Sequence, residues 1–204
     1  MDSKTHWERV YAKTQPTEVS WYQSQPTRSL ELMAEVGVGP ESTIIDVGGG
    51  DATLVDVLVE RRLGRVTVLD ISGAALDRPR GRLGPRAAEV TWIEGDVTEV
   101  ELALGAYDVW HDRAVFHFLT RHEDRVRYVA AAAGALRPSG TLIIATFAPE
   151  GPTRCSGLEV VRYSPEGLIG EFGAPFTLLR SLPDVHKTPS GVEQHFTYAV
   201  FRRR

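Results

Sequence analysis

The stretch that decides the fold is Ile45-Asp46-Val47-Gly48-Gly49-Gly50-Asp51-Ala52-Thr53, where an apolar run ends in three glycines. Glycines between a buried strand and a helix let the backbone approach a ligand more closely than any side chain allows. Asp70 ends the next apolar run, where a carboxylate can accept hydrogen bonds from both hydroxyls of a ribose. Together these features indicate a nucleotide-type binding loop.

Short β-branched runs alternate with helical patterns, which predicts a doubly wound α/β fold with a mostly parallel sheet and helices on both faces. The strands of this alternation are expected at 43–47, 66–70, 89–93, 107–111 and 141–147. The helices are expected at about 51–62, 73–83, 123–136 and from Ser164 onward, with Pro79 kinking or shortening the second. Two last strands, around 176–182 and 194–201, have no helix between them and should form an antiparallel hairpin at one edge.

A single domain, residues 1–204, is expected, because 204 residues with 42% hydrophobic content suffice for one core. Within it, residues 1–38 are predicted to form an N-terminal helical cap or lid, with helices at 3–13 and 27–36. The start carries no apolar run and no stretch reaches about 20 apolar residues, so neither export nor membrane spanning is indicated. We therefore expect a cytoplasmic protein.

The formal net charge is −4, so no global basic field attracts nucleic acid. The arginine-rich runs at 78–86 and 202–204 lack the interleaved aromatics that stack on exposed bases. We expect both runs to be solvated surface, and nucleic acid is not an expected partner.

Three details bear on the choice between a nicotinamide dinucleotide and another adenosine cofactor. Thr53 replaces the third glycine of dinucleotide sites. Asp46 lies in an apolar strand and needs a partner, which a loop amide or the ammonium of a bound amino acid would supply. Asp96 follows the third strand, so it can accept the exocyclic amine of adenine while Val97 lines the pocket of the ring.

These residues resemble the motifs of the class I, Rossmann-like methyltransferases that use S-adenosylmethionine, over roughly residues 40–150. The first motif matches Asp46 to Gly50, the second matches Asp70 with Ile71, and the third matches Asp96 with Val97. The stretch 136–142 is similar to the approach to the fifth strand of that family. The cofactor half is also somewhat similar to bacterial stand-alone enzymes and to protein-lysine methyltransferases of the elongation-factor type.

The resemblance implies a seven-stranded sheet of order 3-2-1-4-5-7-6 with strand 7 antiparallel. It implies S-adenosylmethionine as cofactor and S-adenosylhomocysteine as product. The residues expected to bind the cofactor are Trp21, Asp46, Gly48, Gly49, Gly50, Asp70, Ile71, Asp96, Val97 and His111. For Trp21 two interpretations stay open: ordinary packing of the cap helices, or a lid wall that excludes water and favours the sulfonium by cation–π attraction.

The segment 110–118 leaves the carboxyl end of the fourth strand, where open α/β sheets present reactive groups. In the resembling family this turn faces the transferred methyl group, which makes Asp112 and His117 catalytic candidates for orienting the acceptor or removing its proton. Arg113 is expected either to hold an anionic acceptor or to pair with Asp112. The Asn/Asp-Pro-Pro-aromatic pattern of amide-methylating DNA enzymes is absent here.

Cys155 is the single cysteine of the chain, which excludes a disulfide framework and paired-cysteine zinc motifs. Its loop, 151–158, follows the fifth strand and could close over the acceptor. Cys155 could act on a substrate or bind a metal with His117 or His186, but lone cysteines are usually inert. No metal site is expected.

The sequence predicts a methyltransferase acting on a small molecule or a protein side chain. In-line transfer from an activated sulfonium needs alignment and exclusion of water rather than a dedicated nucleophile. The alternatives are a nicotinamide-dependent oxidoreductase, which the absence of a Tyr-x-x-x-Lys pair disfavours, and a catalytically silent module that binds the cofactor.

Overall fold

The computed structural model describes residues 2–204. Its strands are β1 Thr43–Val47, β2 Arg65–Asp70, β3 Thr91–Glu94, β4 Tyr107–Arg113, β5 Leu136–Phe147, β6 Arg154–Cys155, β7 Leu158–Glu159, β8 Phe176–Lys187 and β9 Glu193–Arg203. Its helices are α1 Ser3–Lys13, α2 Thr27–Glu35, α3 Leu54–Glu60, α4 Gly73–Leu83, α5 His122–Ala135 and α6 Pro165–Phe172. Short 3-10 turns cover Gly84–Glu89 and Phe116–Phe118.

Seven strands form one sheet in the order β3-β2-β1-β4-β5-β9-β8. β1 to β5 are parallel, and β9 runs antiparallel between β5 and β8. Because β6 and β7 form a separate small hairpin, β8 and β9 are the sixth and seventh strands of the main sheet. The predicted order 3-2-1-4-5-7-6, the antiparallel strand 7 and the terminal hairpin are therefore confirmed.

The core lies on both faces of the sheet, because neighbouring residues of each central strand point to opposite sides. Ile44 packs with the side chains of α2 and α3 on one face. Ile45 packs with those of α5 and α6 on the other face. This double coverage explains why the central strands read as continuous apolar runs.

Some element bounds differ from the predictions. α3 begins only at Leu54, because Asp51 remains in a turn where it forms ion pairs. α4 keeps its predicted bounds with Pro79 buried inside it, so the predicted shortening is wrong. Its start is capped by the Ser72 side chain, which accepts a hydrogen bond from the amide of Ala75.

The two N-terminal helices are present, with α1 packed against α4 and α2 packed against the sheet. We call residues 2–35 the lid. Among residues 2–204, no helix is both long enough and apolar enough to cross a membrane.

Candidate active site

Two adjoining cavities lie between the lid and the carboxyl ends of the parallel strands. The first cavity has a volume of about 50 Å³, and its lining includes Ser29, Asp46 and His111. The second cavity has a volume of about 160 Å³, and its lining includes Asp70 and Cys155. Residues that line both cavities are Tyr11, Trp21, Val47, Gly48 and Arg113. The two cavities are therefore neighbouring parts of one site.

The glycine loop brings backbone against both cavities. Gly48 has a φ of +66°, and a Cβ there would lie 1.9 Å from Cγ2 of Val115. A Cβ on Gly49 would lie 2.4 Å from Oδ2 of Asp46. Side chains at either position would clash with the walls of the site, so the loop can form only with glycine.

Gly50 differs from its two neighbours, since it lines neither cavity. A Cβ there would lie 2.5 Å from Oδ2 of Asp70, and the Gly50 amide donates a hydrogen bond to that carboxyl. Gly50 thus lies against the carboxyl of Asp70, and its predicted contact with the ligand stays a prediction.

Asp70 ends β2 and faces the second cavity beside Ile71. Its Oδ1 accepts a hydrogen bond from the Ser72 amide at 2.9 Å. Burial raises the pKa of Asp70 to about 7, against the lowering effect of the Ser72 and Gly50 amides. A ligand hydroxyl that donated to this carboxylate would offset the cost of its burial.

Asp46 belongs to a buried chain of three polar side chains in the first cavity. Its Oδ1 lies 2.7 Å from Nδ1 of His111, and Nε2 of His111 lies 2.8 Å from the Ser29 hydroxyl. Within residues 2–204, Oδ2 of Asp46 is buried and accepts no hydrogen bond. Asp46 therefore has a partner at one oxygen, but it is His111 and not the predicted loop amide. The other oxygen is free for a cationic ligand group, so the predicted ammonium partner stays a prediction.

Asp96 and Val97 line the second cavity, as does Ile71. Asp96 uses Oδ1 to accept hydrogen bonds from the amide and hydroxyl of Thr98, at 2.8 and 2.7 Å. These bonds hold the turn after β3, with the carboxyl at the wall of the cavity.

Aromatic side chains of the lid form one wall of the site. The Trp7 ring centroid lies 5.9 Å from that of Trp21 and 5.1 Å from that of Phe118. Tyr11 lies 6.1 Å from Trp21. Trp21 thus packs with the other lid aromatics and also lines both cavities, so its attraction for the sulfonium stays a prediction.

Asp112 is fully buried and lines neither cavity, which corrects its predicted catalytic role. It accepts hydrogen bonds from the amides of Val115 and Phe116, at 2.8 and 3.0 Å, and from the Tyr128 hydroxyl. Burial raises its pKa to about 6. The carboxyl is occupied in holding the turn after β4 and does not reach an acceptor.

His117 is likewise fully buried and lines neither cavity. Its Nδ1 accepts a hydrogen bond from the Phe147 amide, and its ring packs against Phe118 and Phe147. Burial lowers its pKa to about 3. The predicted proton removal by His117 is corrected, since the side chain is a packing residue.

Arg113 does not pair with Asp112, so that interpretation is wrong. Its Nε donates to the Tyr198 hydroxyl at 3.2 Å and its Nη1 donates to the Trp21 carbonyl at 3.1 Å. The guanidinium carbon lies 4.9 Å from the Phe196 ring centroid. Arg113 is therefore fixed between β9 and the lid, at the junction of the two cavities.

Arg78 has a function that the sequence analysis missed. Its Nη1 donates to Oδ2 of Asp51 at 2.6 Å, and its Nη2 donates to the carbonyls of Tyr11 and Thr14. The predicted solvated surface is wrong for this residue, which ties the lid to the glycine loop. The signal that could have revealed this function is Asp51, because a carboxylate buried in the turn after the glycines requires a cationic partner.

Cys155 is buried and lines the second cavity, and burial raises the pKa of its thiol. Nε2 of His186 donates a hydrogen bond to the Ser20 carbonyl oxygen at 2.7 Å. Across residues 2–204, no group of three or more His, Cys, Asp and Glu side chains is arranged to hold a metal ion.

An open α/β sheet whose glycine loop and strand-end acids meet in one site of two adjoining cavities is typical of nucleoside-binding enzymes of the Rossmann-like class. Comparisons with known proteins narrow this class. The methyltransferase domain family matches residues 44–140. EEF1A lysine methyltransferase 2 of Danio rerio is 23% identical over 218 residues, covering 100% of this chain and 88% of the relative.

Solved structures share the fold. A SAM-dependent methyltransferase from Anabaena variabilis superposes with a TM-score of 0.77 at 19% identity, covering 100% of this chain and 96% of that one. The N-methyltransferase NodS from Bradyrhizobium japonicum, in complex with S-adenosylhomocysteine, has a TM-score of 0.73 at 17% identity and 99% coverage of each chain. The chain is therefore a class I methyltransferase that uses S-adenosylmethionine, which decides against the nicotinamide-dependent alternative.

Proposed function

We propose that the cofactor spans both cavities, with its adenosine in the second and its amino-acid end in the first. Asp70 would accept the ribose hydroxyls, and Ile71 and Val97 would enclose the adenine, with Asp96 accepting its amino group. Asp46 would accept the ammonium. Two observations support this arrangement: the unpartnered buried Oδ2 of Asp46 and the loop in which Gly48 leaves no room for a side chain.

When bound, S-adenosylmethionine supplies an activated methyl group, so the protein contributes alignment and exclusion of water. Trp7 and Trp21 cover the site and exclude water from it. The ring faces of these lid aromatics favour a positive charge held nearby.

We further propose that the methyl acceptor is a small molecule with an apolar, flat body, bound against Trp7 and Phe118. The observation that carries this proposal is that most side chains lining the second cavity are apolar. Its ionisable lining residues are Tyr11, Asp70, Asp96, Arg113 and Cys155. The two acids are at the adenosine end in this arrangement. Burial raises the pKa of the Tyr11 hydroxyl and of the Cys155 thiol, so neither is a base at neutral pH.

The acceptor atom must therefore reach the site already able to attack, as a weakly basic amine nitrogen, a thiolate or a phenolate. The positive charge of Arg113 favours a neutral or anionic acceptor over an ammonium. Full-length similarity to EEF1A lysine methyltransferase 2 supports a second candidate, a lysine side chain of a protein. That acceptor would need to lose its proton to water before it entered the cavity.

A mass-shift screen tests the acceptor class. The protein is incubated with S-adenosylmethionine and either a panel of heteroaromatic amines, thiols and phenols or a dialysed protein extract. We expect methylation of small molecules, strong loss of it in Trp7→Ala, and none of that loss in Leu179→Ala, which alters an exposed side chain of the edge strand. Methylation confined to lysines of the extract would overturn the small-molecule proposal in favour of the second candidate.

A further inference from the structure

Arg113 has one nitrogen without a partner, and its side chain lies at the junction of the two cavities. Its Nε donates to the Tyr198 hydroxyl and its Nη1 donates to the Trp21 carbonyl. Within residues 2–204, its Nη2 is buried and donates to no acceptor. The residue lines both cavities. Because a buried guanidinium nitrogen without an acceptor is costly, it indicates a ligand that places an acceptor atom at this junction.

Most titratable groups near this guanidinium carry no charge at neutral pH. The titratable side chains that contact it, share a cavity with it or are affected by its charge are Tyr11, Asp46, His117, Cys155, His186 and Tyr198. Burial raises the pKa of the Tyr11 hydroxyl and of the Cys155 thiol, so both keep their protons. Burial, together with the charge of Arg113, lowers the pKa of the His117 and His186 rings, so both are neutral.

Asp46 is the carboxylate of this group, and the proposed cofactor arrangement already engages it. His111 occupies its Oδ1, and the ammonium of the cofactor would occupy its Oδ2. The same arrangement puts the sulfonium at the junction of the cavities, because that atom joins the adenosine in the second cavity to the amino-acid end in the first. Arg113 and the sulfonium are then two neighbouring cations, and a negatively charged acceptor between them would offset their repulsion.

We infer that the methyl acceptor enters as an anion, the deprotonated hydroxyl or thiol of a flat ring, and that Arg113 is a catalytic residue that holds the attacking oxygen or sulfur. This inference rests on the proposed function. A lone pair of the attacking atom forms a bond to the methyl carbon while the carbon–sulfur bond of the sulfonium breaks, and the electron pair of that bond stays on the sulfur. An anion and a cation thereby become two neutral products, which a site that excludes water favours. An amine acceptor would instead gain a positive charge beside the guanidinium.

The absorbance of a bound indicator tests the inference. 4-Nitrophenol is flat, and only its anion absorbs strongly in the visible range, so absorbance reports its charge when it is bound to protein saturated with S-adenosylhomocysteine. We expect the bound probe to ionise at least about one pH unit below the free probe. Arg113→Gln should abolish this difference and weaken binding of the anion on the order of tenfold, while the neutral amine 4-nitroaniline should bind both proteins equally. Arg113→Lys should keep part of the difference, and Arg80→Gln, a change in an exposed arginine of α4, should keep all of it.

Other results overturn the inference. A bound probe that ionised at the same pH as the free probe, or at a higher one, would show that the site does not favour an anion. Equal losses of 4-nitrophenol and 4-nitroaniline binding in Arg113→Gln would assign the residue to the architecture of the lid. Absence of 4-nitrophenol binding to protein that is saturated with S-adenosylhomocysteine would also contradict the inference. Failure of the proposed function has a separate signature, which is a folded unmodified protein that shows no calorimetric binding of S-adenosylhomocysteine.

Discussion

Two buried aspartates near the carboxyl ends of β2 and β4, the strands on either side of β1, have different functions because their surroundings differ. The Asp112 carboxyl accepts hydrogen bonds from two backbone amides and the Tyr128 hydroxyl, and it lines neither of the two cavities. Asp70 receives two backbone amides and still faces the second cavity. Burial raises the pKa of both carboxyls, because it disfavours their charged form. Only Asp70 can offset this free-energy cost by accepting hydrogen bonds from a ligand.

Cofactor affinity is expected to depend on pH through Asp70. Because its pKa is raised to about 7, only a minority of the free protein carries the carboxylate at pH 6. If only the carboxylate binds the ribose, affinity for S-adenosylhomocysteine should rise about tenfold between about pH 6 and pH 8. Calorimetry across this range measures the effect, and Asp70→Asn should bind more weakly with no such rise.

The stability of the free protein changes with pH in the opposite direction to the cofactor affinity. A carboxyl whose folded-state pKa is raised contributes stability that is fully present below its unfolded-state value, near 3.8, and is lost as pH rises through about 7. The free protein therefore loses stability from Asp70 between about pH 4 and about pH 7, and only the upper end of this range overlaps the rise in affinity. An equal rise of affinity with pH in Asp70→Asn would assign the pH dependence to another group.

Asp112→Ala is expected to lower the free energy of unfolding by about 3 kcal/mol or more, because three buried donors lose their acceptor. Urea denaturation measures this change, with Asp77→Ala as the control, since Asp77 is exposed on α4. Folded Asp112→Asn should keep the cofactor affinity of the unmodified protein. An Asp112→Asn protein that was as stable as the unmodified protein but did not bind the cofactor would show that Asp112 belongs to the binding site.

At the scale of elements, the lid is attached to the Rossmann-like core through α4. Arg78 joins Asp51 of the glycine loop to the carbonyls at the end of α1. Glu8 accepts the Gly73 amide at the start of α4, at 2.7 Å. The exposed pair of Lys4 with Glu94 adds little, because solvent screens it. Arg78 therefore links the position of the lid to the shape of the glycine loop.

Arg78→Met is expected to loosen the lid and to weaken S-adenosylhomocysteine binding about tenfold, because charged hydrogen bonds to the loop and to α1 are lost. Hydrogen–deuterium exchange of residues 3–22 should increase in this variant. Arg80→Met changes an arginine of the same helix whose partner is the exposed Asp77, and it should have neither effect. Unaltered exchange of α1 in Arg78→Met would contradict the coupling.

At the scale of the whole molecule, the site forms only where distant segments meet over the sheet. Ser29 comes from the lid, Asp46 from β1, Arg113 from β4 and Tyr198 from β9. Their contacts join residues that are far apart in sequence, so no local pattern specifies them. This explains why Asp46 could be predicted to need a partner while the identity of that partner, His111, could not.

Local chemistry in the sequence determined the alternation of strands and helices, the glycine loop and the positions of Asp46 in β1, Asp70 at the end of β2 and Asp96 after β3, because periodicity and turn residues act over a few positions. The tertiary structure alone decided which polar groups face the cavities. Asp112 and Arg113 lie in β4 and His117 follows it, yet packing against Tyr128 and Phe147 buries Asp112 and His117, whereas Arg113 lines the site. Long-range packing sets the direction and the partners of each side chain, and those partners determine whether a charge supports the fold or binds a ligand.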